Sequence, residues 1–301
     1  MSKLISRRYF LNQAGIASAV GLIGSRISAS AARHQPKTGG VHLAIATICT
    51  DGFGNKHHEP AFRVIPELGF KNVEFNLWYA DQLTPQYIDT IRHRCYATGL
   101  TPICLQGTGF GGEGSSGVIM DLSHKMILLD RCEQLGCRII KCTGSRRGTS
   151  GGLEHIIEVC KELAPIAEEM DMLVTLENHA SNVLENIGDY EEVFAAIDSS
   201  HIGMCMDIGH FEGIGVDLHE VIDKFHDRIL HVDLKDCRAR GKGHDTVVFG
   251  QGVTDFDSIL THLMEKNYQG YLVVEQAWRE PQGDWQSDLA KSYQLFKRWE
   301  S

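Results

Sequence analysis

The sequence predicts an α/β protein folded as a single (β/α)8 barrel, and three observations carry that prediction. Short apolar runs rich in β-branched and aromatic residues recur eight times after residue 40. Segments of helical period separate them, as in an alternating parallel α/β architecture. Glycine stops several of the helical segments, and Asp or Ser opens others, in the places where caps belong. Four polar residues, Glu177, Asp207, His231 and Glu275, lie at or near the ends of the last four apolar runs.

The first strand reads VHLAIATI over 41–48, followed by a helix near 58–68 that ends at Gly69. NVEFN (72–76) is the second strand, and its helix runs from about 85 to 98 before Gly99. TPICLQ (101–106) is the third, with a helix near 118–135 stopped by Gly136. RIIKCT (138–143) and a helix near 152–170 come next. MLVTLEN (172–178) is the fifth strand, and Asp189 is read as the cap of a helix ending near 197. IGMCMD (202–207) precedes a helix near 217–226, and ILHVDLKD (229–236) precedes one that Asp255 opens and that ends near 266. YLVVEQ (271–276) is the eighth strand, and Ser287 begins the last helix.

With 301 residues, 43% of them hydrophobic, the chain is long enough for one such barrel. Its net charge of −10 argues against a nucleic-acid surface, which wants a basic stripe. No apolar run after the N-terminus has the length of a membrane span. The first residues look like an address. Ser6-Arg7-Arg8-Tyr9-Phe10-Leu11 fits a twin-arginine signal, a weakly apolar stretch follows from Ala14 to about Ile27, and Ala29-Ser30-Ala31 offers a cleavage site. The expected organisation is a signal peptide over 1–31, a linker over 32–40 and a barrel over 41–301. Export would be by the twin-arginine machinery to the periplasm or beyond, with no membrane attachment of the mature chain. Nine scattered cysteines without a CxxC pair read as buried free thiols, not as a disulfide scaffold. The twin-arginine route, which carries folded proteins, reconciles such thiols with export.

Two loops stand out at the expected mouth. GTGFGGEGSSG (107–117) lacks the Gly-Lys-Ser/Thr ending of a phosphate loop and reads as a flap. CRARGKGHDTVVFGQG (237–252) follows the seventh strand. Both lie on the face where barrel active sites form.

Three carboxylates and one imidazole converging there would hold one divalent ion. Hard oxygen donors suit Mn2+ first, with Mg2+, Co2+ or Zn2+ as alternatives. Such an ion would polarise a carbonyl and stabilise an enediolate, while Glu177 and Glu275 move the proton. Return of the proton to the opposite face gives epimerisation, and return to the neighbouring carbon gives isomerisation. A leaving group β to the carbonyl gives elimination instead. A non-catalytic sugar-binding barrel is the alternative of another class. Further polar residues near the strand ends are candidate substrate contacts: His210, His179, Lys235, Glu74, Lys141 and Trp78. Lys235 reads equally as a structural ion-pair partner, Glu74 as a supporting group and Trp78 as core packing. His231, Asp233 and Lys235 share one face of their strand by period 2. His57, His58, His93 and His155 read as surface residues.

The segments LEN at strand 5, MDIGH (206–210), HVDLKD (231–236) and VVEQ (273–276) resemble the xylose isomerase-like TIM-barrel superfamily. This group of sugar isomerases and epimerases also includes inosose dehydratases and endonuclease IV, and the resemblance spans roughly residues 41–299. It implies one divalent metal on Glu177, Asp207, His231 and Glu275. It also implies proton transfer by the two glutamates and a substrate contact from His210. Asn178-His179-Ala180 departs from the Pro-rich segment that ketose 3-epimerases carry after the strand-5 glutamate. Arg238 and Arg240 are only near the position where those enzymes place an arginine. The expected partner is a small carbohydrate, unphosphorylated in a periplasmic setting, and a homo-oligomer is compatible with the sequence.

Overall fold

The computed structural model describes residues 39–111, 114–277 and 283–301. The expected signal peptide and all but the last two residues of the linker fall outside that range. Eight parallel strands close into a barrel: β1 (Val41–Ala46), β2 (Asn72–Asn76), β3 (Thr101–Gln106), β4 (Ile139–Thr143), β5 (Leu173–Glu177), β6 (Ile202–Asp207), β7 (Ile229–Leu234) and β10 (Gly270–Val274). β1 pairs with both β2 and β10, and β10 pairs with β7, so the sheet has no open edge. A two-residue pair, β8 (Asp236–Cys237) with β9 (Thr246–Val247), forms an antiparallel hairpin above β7.

Most expected elements fall within a residue or two of their places, and the departures have local causes. The first strand stops at Ala46, because Asn76 Oδ1 accepts from Thr47 Oγ1 and the Ile48 amide and draws the chain into a short helix, Ile48–Asp51. The helix after β5 is capped by Asn186, with Asp189 returning the bond as the second half of a capping box. The last helix begins at Trp285, not Ser287. An additional helix, Ile208–Ile214, follows β6 and is capped by Asp207, whose Oδ1 accepts the His210 amide at 2.9 Å.

The apolar interior lies in two shells. A large one fills the space between strands and helices, with Ile45, Phe75, Leu105 and Leu176 fully buried. A small one, including Ala44, Ile139, Leu173 and Val273, fills the barrel floor. Above that floor the interior turns polar. All nine cysteines are free and buried, as the sequence implied. His58 and His155 are buried as well, contrary to expectation, each held by a polar partner. His58 Nε2 donates to the Asn76 carbonyl at 3.1 Å, and His155 Nε2 pairs with Asp121 at 2.7 Å. No helix among the described residues is long and apolar enough to cross a membrane.

Candidate active site

The strand ends build the site in tiers, because inward side chains alternate along each strand. Glu177 ends β5 and Asp207 ends β6, while Glu275 follows β10 directly. Asp207 is the register partner of Asp233 on β7. One carboxylate oxygen from each of Glu177, Asp207, Asp233 and Glu275 lies within 4.8 Å of the other three.

His231 is not in that group, and this corrects the sequence reading. β7 continues three residues past His231, so the imidazole sits one tier deeper, beside Cys205 of β6. There its Nε2–H donates to Glu74 Oε2 at 2.9 Å. Burial alone would lower its pKa, but the Asp233 and Glu74 carboxylates outweigh burial and raise it to about 9. Period 2 had placed Asp233 on the same face, and strand depth makes it the fourth member.

Glu74 and Lys141 also lie in the deeper tier, fully buried and absent from the pocket wall, so neither is placed to touch substrate. Lys141 Nζ stands 2.7 Å from carboxylate oxygens of Glu74, Asp233 and Glu275. Lys235 is in the upper tier, 2.6 Å from Asp207 Oδ2 and 3.1 Å from Glu275 Oε1. It lines the pocket and forms ion pairs at once. Burial pushes the Glu275 carboxyl up, but the Lys141 and Lys235 ammoniums hold it well below the usual carboxylate range. Asp207 is raised to about 6 by burial, with Lys235 opposing. Glu177 makes no ion pair among the described residues, and burial pushes it well up. Its carboxylate accepts from Gln106 Nε2 at 3.1 Å. Gln106 Oε1 in turn accepts from Asn76 Nδ2. These relays fix the amide orientations from the interior outward.

The pocket above has a volume of about 340 Å³. Phe53 and Trp78 form one wall, their ring centroids 5.4 Å apart, and the Trp78 contact expected from sequence is open to a ligand. His179, His210 and His244 form another part of the wall. Gly209 is required beneath them, because a Cβ there would lie 2.8 Å from Cβ, Cγ and the carbonyl of Lys235. Of the two long loops, 237–252 contributes His244 and Thr246 to the pocket. The described part of 107–117 contributes none. Lys125 Nζ donates to the Gly109 carbonyl at 2.7 Å, and residues 114–117 are already helical, so these described parts of the segment are held in place.

Sequence reading passed over Asn76 and Gln106, although each ends a strand as Glu177 does. The same criterion of a polar residue closing an apolar run would have found both. His244 and Phe53 lie outside strands and carry no comparable signal.

A family model described as xylose isomerase-like TIM barrel matches residues 62–298. An inosose dehydratase of Clostridium perfringens is 29% identical over 136 residues, covering 40% of this chain and 46% of that protein, so the match spans about half the length of that relative. An IolI protein crystallised with a zinc atom superposes with a TM-score of 0.68 at 19% identity, over 86% of this chain and 99% of that one. The Escherichia coli 3-keto-D-glucoside 4-epimerase YcjR superposes with a TM-score of 0.67 at 18% identity, over 83% of this chain and 98% of that one. At such identities the likeness of the two structures is one of fold.

Proposed function

Because the chain belongs to the xylose isomerase-like TIM-barrel family, we propose that it is a metal-dependent enzyme acting on an unphosphorylated sugar or keto-sugar. It moves a proton on the carbon beside a carbonyl, giving isomerisation or epimerisation. The observation that carries this reading is the convergence of Glu177, Asp207, Asp233 and Glu275, with the two glutamates on the wall of a pocket that Phe53 and Trp78 also line and the two aspartates buried behind them.

The residues fit a divalent ion. Five buried carboxylates, counting Glu74, face two lysines and two histidines, His231 and His210. Asp233 Oδ1 is buried without a hydrogen-bond partner among the described residues, with His231 Nε2 standing off at 3.5 Å, and Glu177 forms no ion pair among them. Buried charge of this kind calls for a counter-charge. Four carboxylates, with the His210 imidazole beside Glu177 and Asp207, form a donor set dominated by hard oxygens, which favours Mn2+ or Mg2+ over zinc. When bound, the ion supplies Lewis acidity to a substrate carbonyl oxygen.

The protein's own groups do the rest. Glu177 and Glu275 approach from strands separated by two others. One takes the proton and the other returns it. Gln106 holds the Glu177 carboxylate in orientation, while Lys141 and Lys235 do the same for Glu275. Phe53 and Trp78 offer an apolar surface to a sugar ring. Lys235 is the one lysine or arginine on the described wall and is already paired with Asp207 and Glu275, which supports an unphosphorylated substrate.

A dehydratase reading uses the same proton abstraction to expel water from the adjacent carbon, and the name of the Clostridium perfringens relative favours it. Incubation of Mn2+-loaded protein with keto-sugars in deuterated water tests both. Deuterium at the α-carbon with unchanged heavy-atom composition marks isomerisation, and loss of water marks dehydration. Sugar binding without any exchange would reject the enzyme and leave a binding protein. The twin-arginine segment supports export, and retention of an Arg7→Lys, Arg8→Lys double variant in the cytoplasm is the corresponding check.

A further inference from the structure

Glu177 differs from the other three carboxylates in what holds it. Asp207 and Glu275 pair with Lys235, and Asp233 and Glu275 pair with Lys141. Glu177 has no ion pair among the described residues, and its one side-chain hydrogen bond there is the one Oε2 accepts from Gln106 Nε2. An amide can present either its N–H or its C=O to such a carboxylate. The C=O would set two oxygens against each other and swing the carboxylate away. Whatever fixes the Gln106 amide therefore fixes Glu177.

That amide is set from β1 and β2. The Ile48 backbone N–H can only donate, and it donates to Asn76 Oδ1 at 2.7 Å. Thr47 Oγ1 accepts the Asn76 backbone N–H at 2.9 Å, so its own hydrogen goes to Asn76 Oδ1, also at 2.9 Å. Two donors on Oδ1 turn Asn76 Nδ2 outward, onto Gln106 Oε1. With Oε1 engaged, Gln106 has only Nε2 hydrogens to offer Glu177. Thr47, Asn76 and Gln106 are all buried, and Gln106 alone of the three lines the pocket. The polarity runs one way: from the backbone where β1 gives way to the Ile48–Asp51 helix, through the ends of β2 and β3, to the end of β5. One acceptor would satisfy the Ile48 amide, so the second amide in the chain serves the Glu177 end.

We propose that Asn76 is a positioning residue for proton transfer, acting through Gln106 to keep an N–H, and never a C=O, directed at Glu177. The inference rests on Glu177 as a proton carrier. Oε2 is the oxygen held, which leaves Oε1 to meet the substrate. Asn76 is off the pocket wall, so it contributes to turnover and not to substrate affinity. Members of a chain of this kind act as a unit, and their contributions do not add.

Two variants break the link differently. Asn76→Ala removes it without adding charge. Asn76→Asp keeps the acceptor for Ile48 and Thr47 and removes the donor to Gln106. Each is expected to lower kcat for deuterium exchange on the keto-sugar that the Mn2+-loaded wild type processes by about 10-fold, with KM within about 3-fold. Asn76→Ala combined with Gln106→Leu should lose no more than Gln106→Leu alone, whereas a merely structural Asn76 would make the two losses multiply. A second readout needs no turnover: the Gln106 side-chain amide signals in heteronuclear NMR, recognised by their absence from Gln106→Leu, should move in both Asn76 variants. Thermal melting confirms that each variant folds. Losses that multiply, a KM that rises as far as kcat falls, or Gln106 signals unmoved by Asn76→Ala overturn the inference. Where Glu177→Gln abolishes exchange and the losses still multiply, only the role of Asn76 is rejected. Exchange that survives Glu177→Gln rejects the proton-carrier reading itself, and the proposal falls with it.

Discussion

Asp207 and Asp233 face each other as register partners at the tips of β6 and β7. This pairing puts Asp233, and not His231, level with Asp207. It also predicts unequal effects of two substitutions on the same strand. Asp233→Asn should weaken Mn2+ binding by about 100-fold or more, as loss of a ligand. His231→Gln, which alters only a supporting contact, should weaken it by about tenfold. Calorimetric titration of the stripped protein measures both, and equal losses would return His231 to the ligand set.

Lys141 carries a stability prediction. It is the common cation of Glu74, Asp233 and Glu275, with every member buried. Lys141→Ala leaves three carboxylates without that charge and should cost about 3–5 kcal/mol in urea unfolding with chelator present. Mn2+ should restore part of the loss by binding the folded state.

Gln106→Leu should lower kcat by about 10- to 100-fold with KM changed much less, because the Glu177 carboxylate loses its orienting donor while the pocket wall stays apolar in part. Solvent-exchange rates at saturating substrate give the comparison. Glu177→Gln should abolish exchange altogether.

Two buried groups on the β1 side give opposite pH dependences. Burial raises the Asp51 carboxyl from 3.8 to about 7. Between those values the folded protein holds a proton that the unfolded chain has lost, so Asp51 makes stability fall as pH rises. Burial lowers His58 from 6.5 to about 4. There the unfolded chain binds the extra proton, so His58 makes stability rise with pH across that window. Asp51→Asn removes the falling component, on the order of 4 kcal/mol in total. The variant should therefore gain stability relative to wild type between pH 4 and pH 7, as followed by urea midpoints.

Gly209→Ala should be disruptive out of proportion to one methyl group. The added Cβ meets the Lys235 backbone as well as its side chain at 2.8 Å. A cost of about 1–3 kcal/mol is expected from the overpacking, together with reduced activity as Lys235 shifts from Asp207 and Glu275.

The barrel was legible because its signals are local and repeated. Strand 6, IGMCMD, ends at the residue that caps the next helix, so composition and boundary agree. Glu177, Asp207 and Glu275 were legible for the same reason, each being the last polar group of its run. His231 was misplaced because ILHV looks like a complete strand, while the sheet carries β7 on through Asp233 and Leu234. Depth in a barrel is set by register between strands, and no single run of sequence contains it. The roles of Glu74 and Lys141 were hidden likewise: their polarity was visible, but not that both point below the pocket. The histidine cluster joins residues 179, 210 and 244 through loop docking, which leaves no periodic trace.

The nine buried thiols make the chain its own reporter of opening. None is accessible in the folded state, and they are spread from Cys49 in the first βα connection to Cys237 on the small hairpin. A neutral alkylating reagent should therefore modify the native protein only as fast as segments transiently separate. Peptide mapping of the tagged sulfurs would then rank the βα units by how often each comes apart, with no substitution introduced.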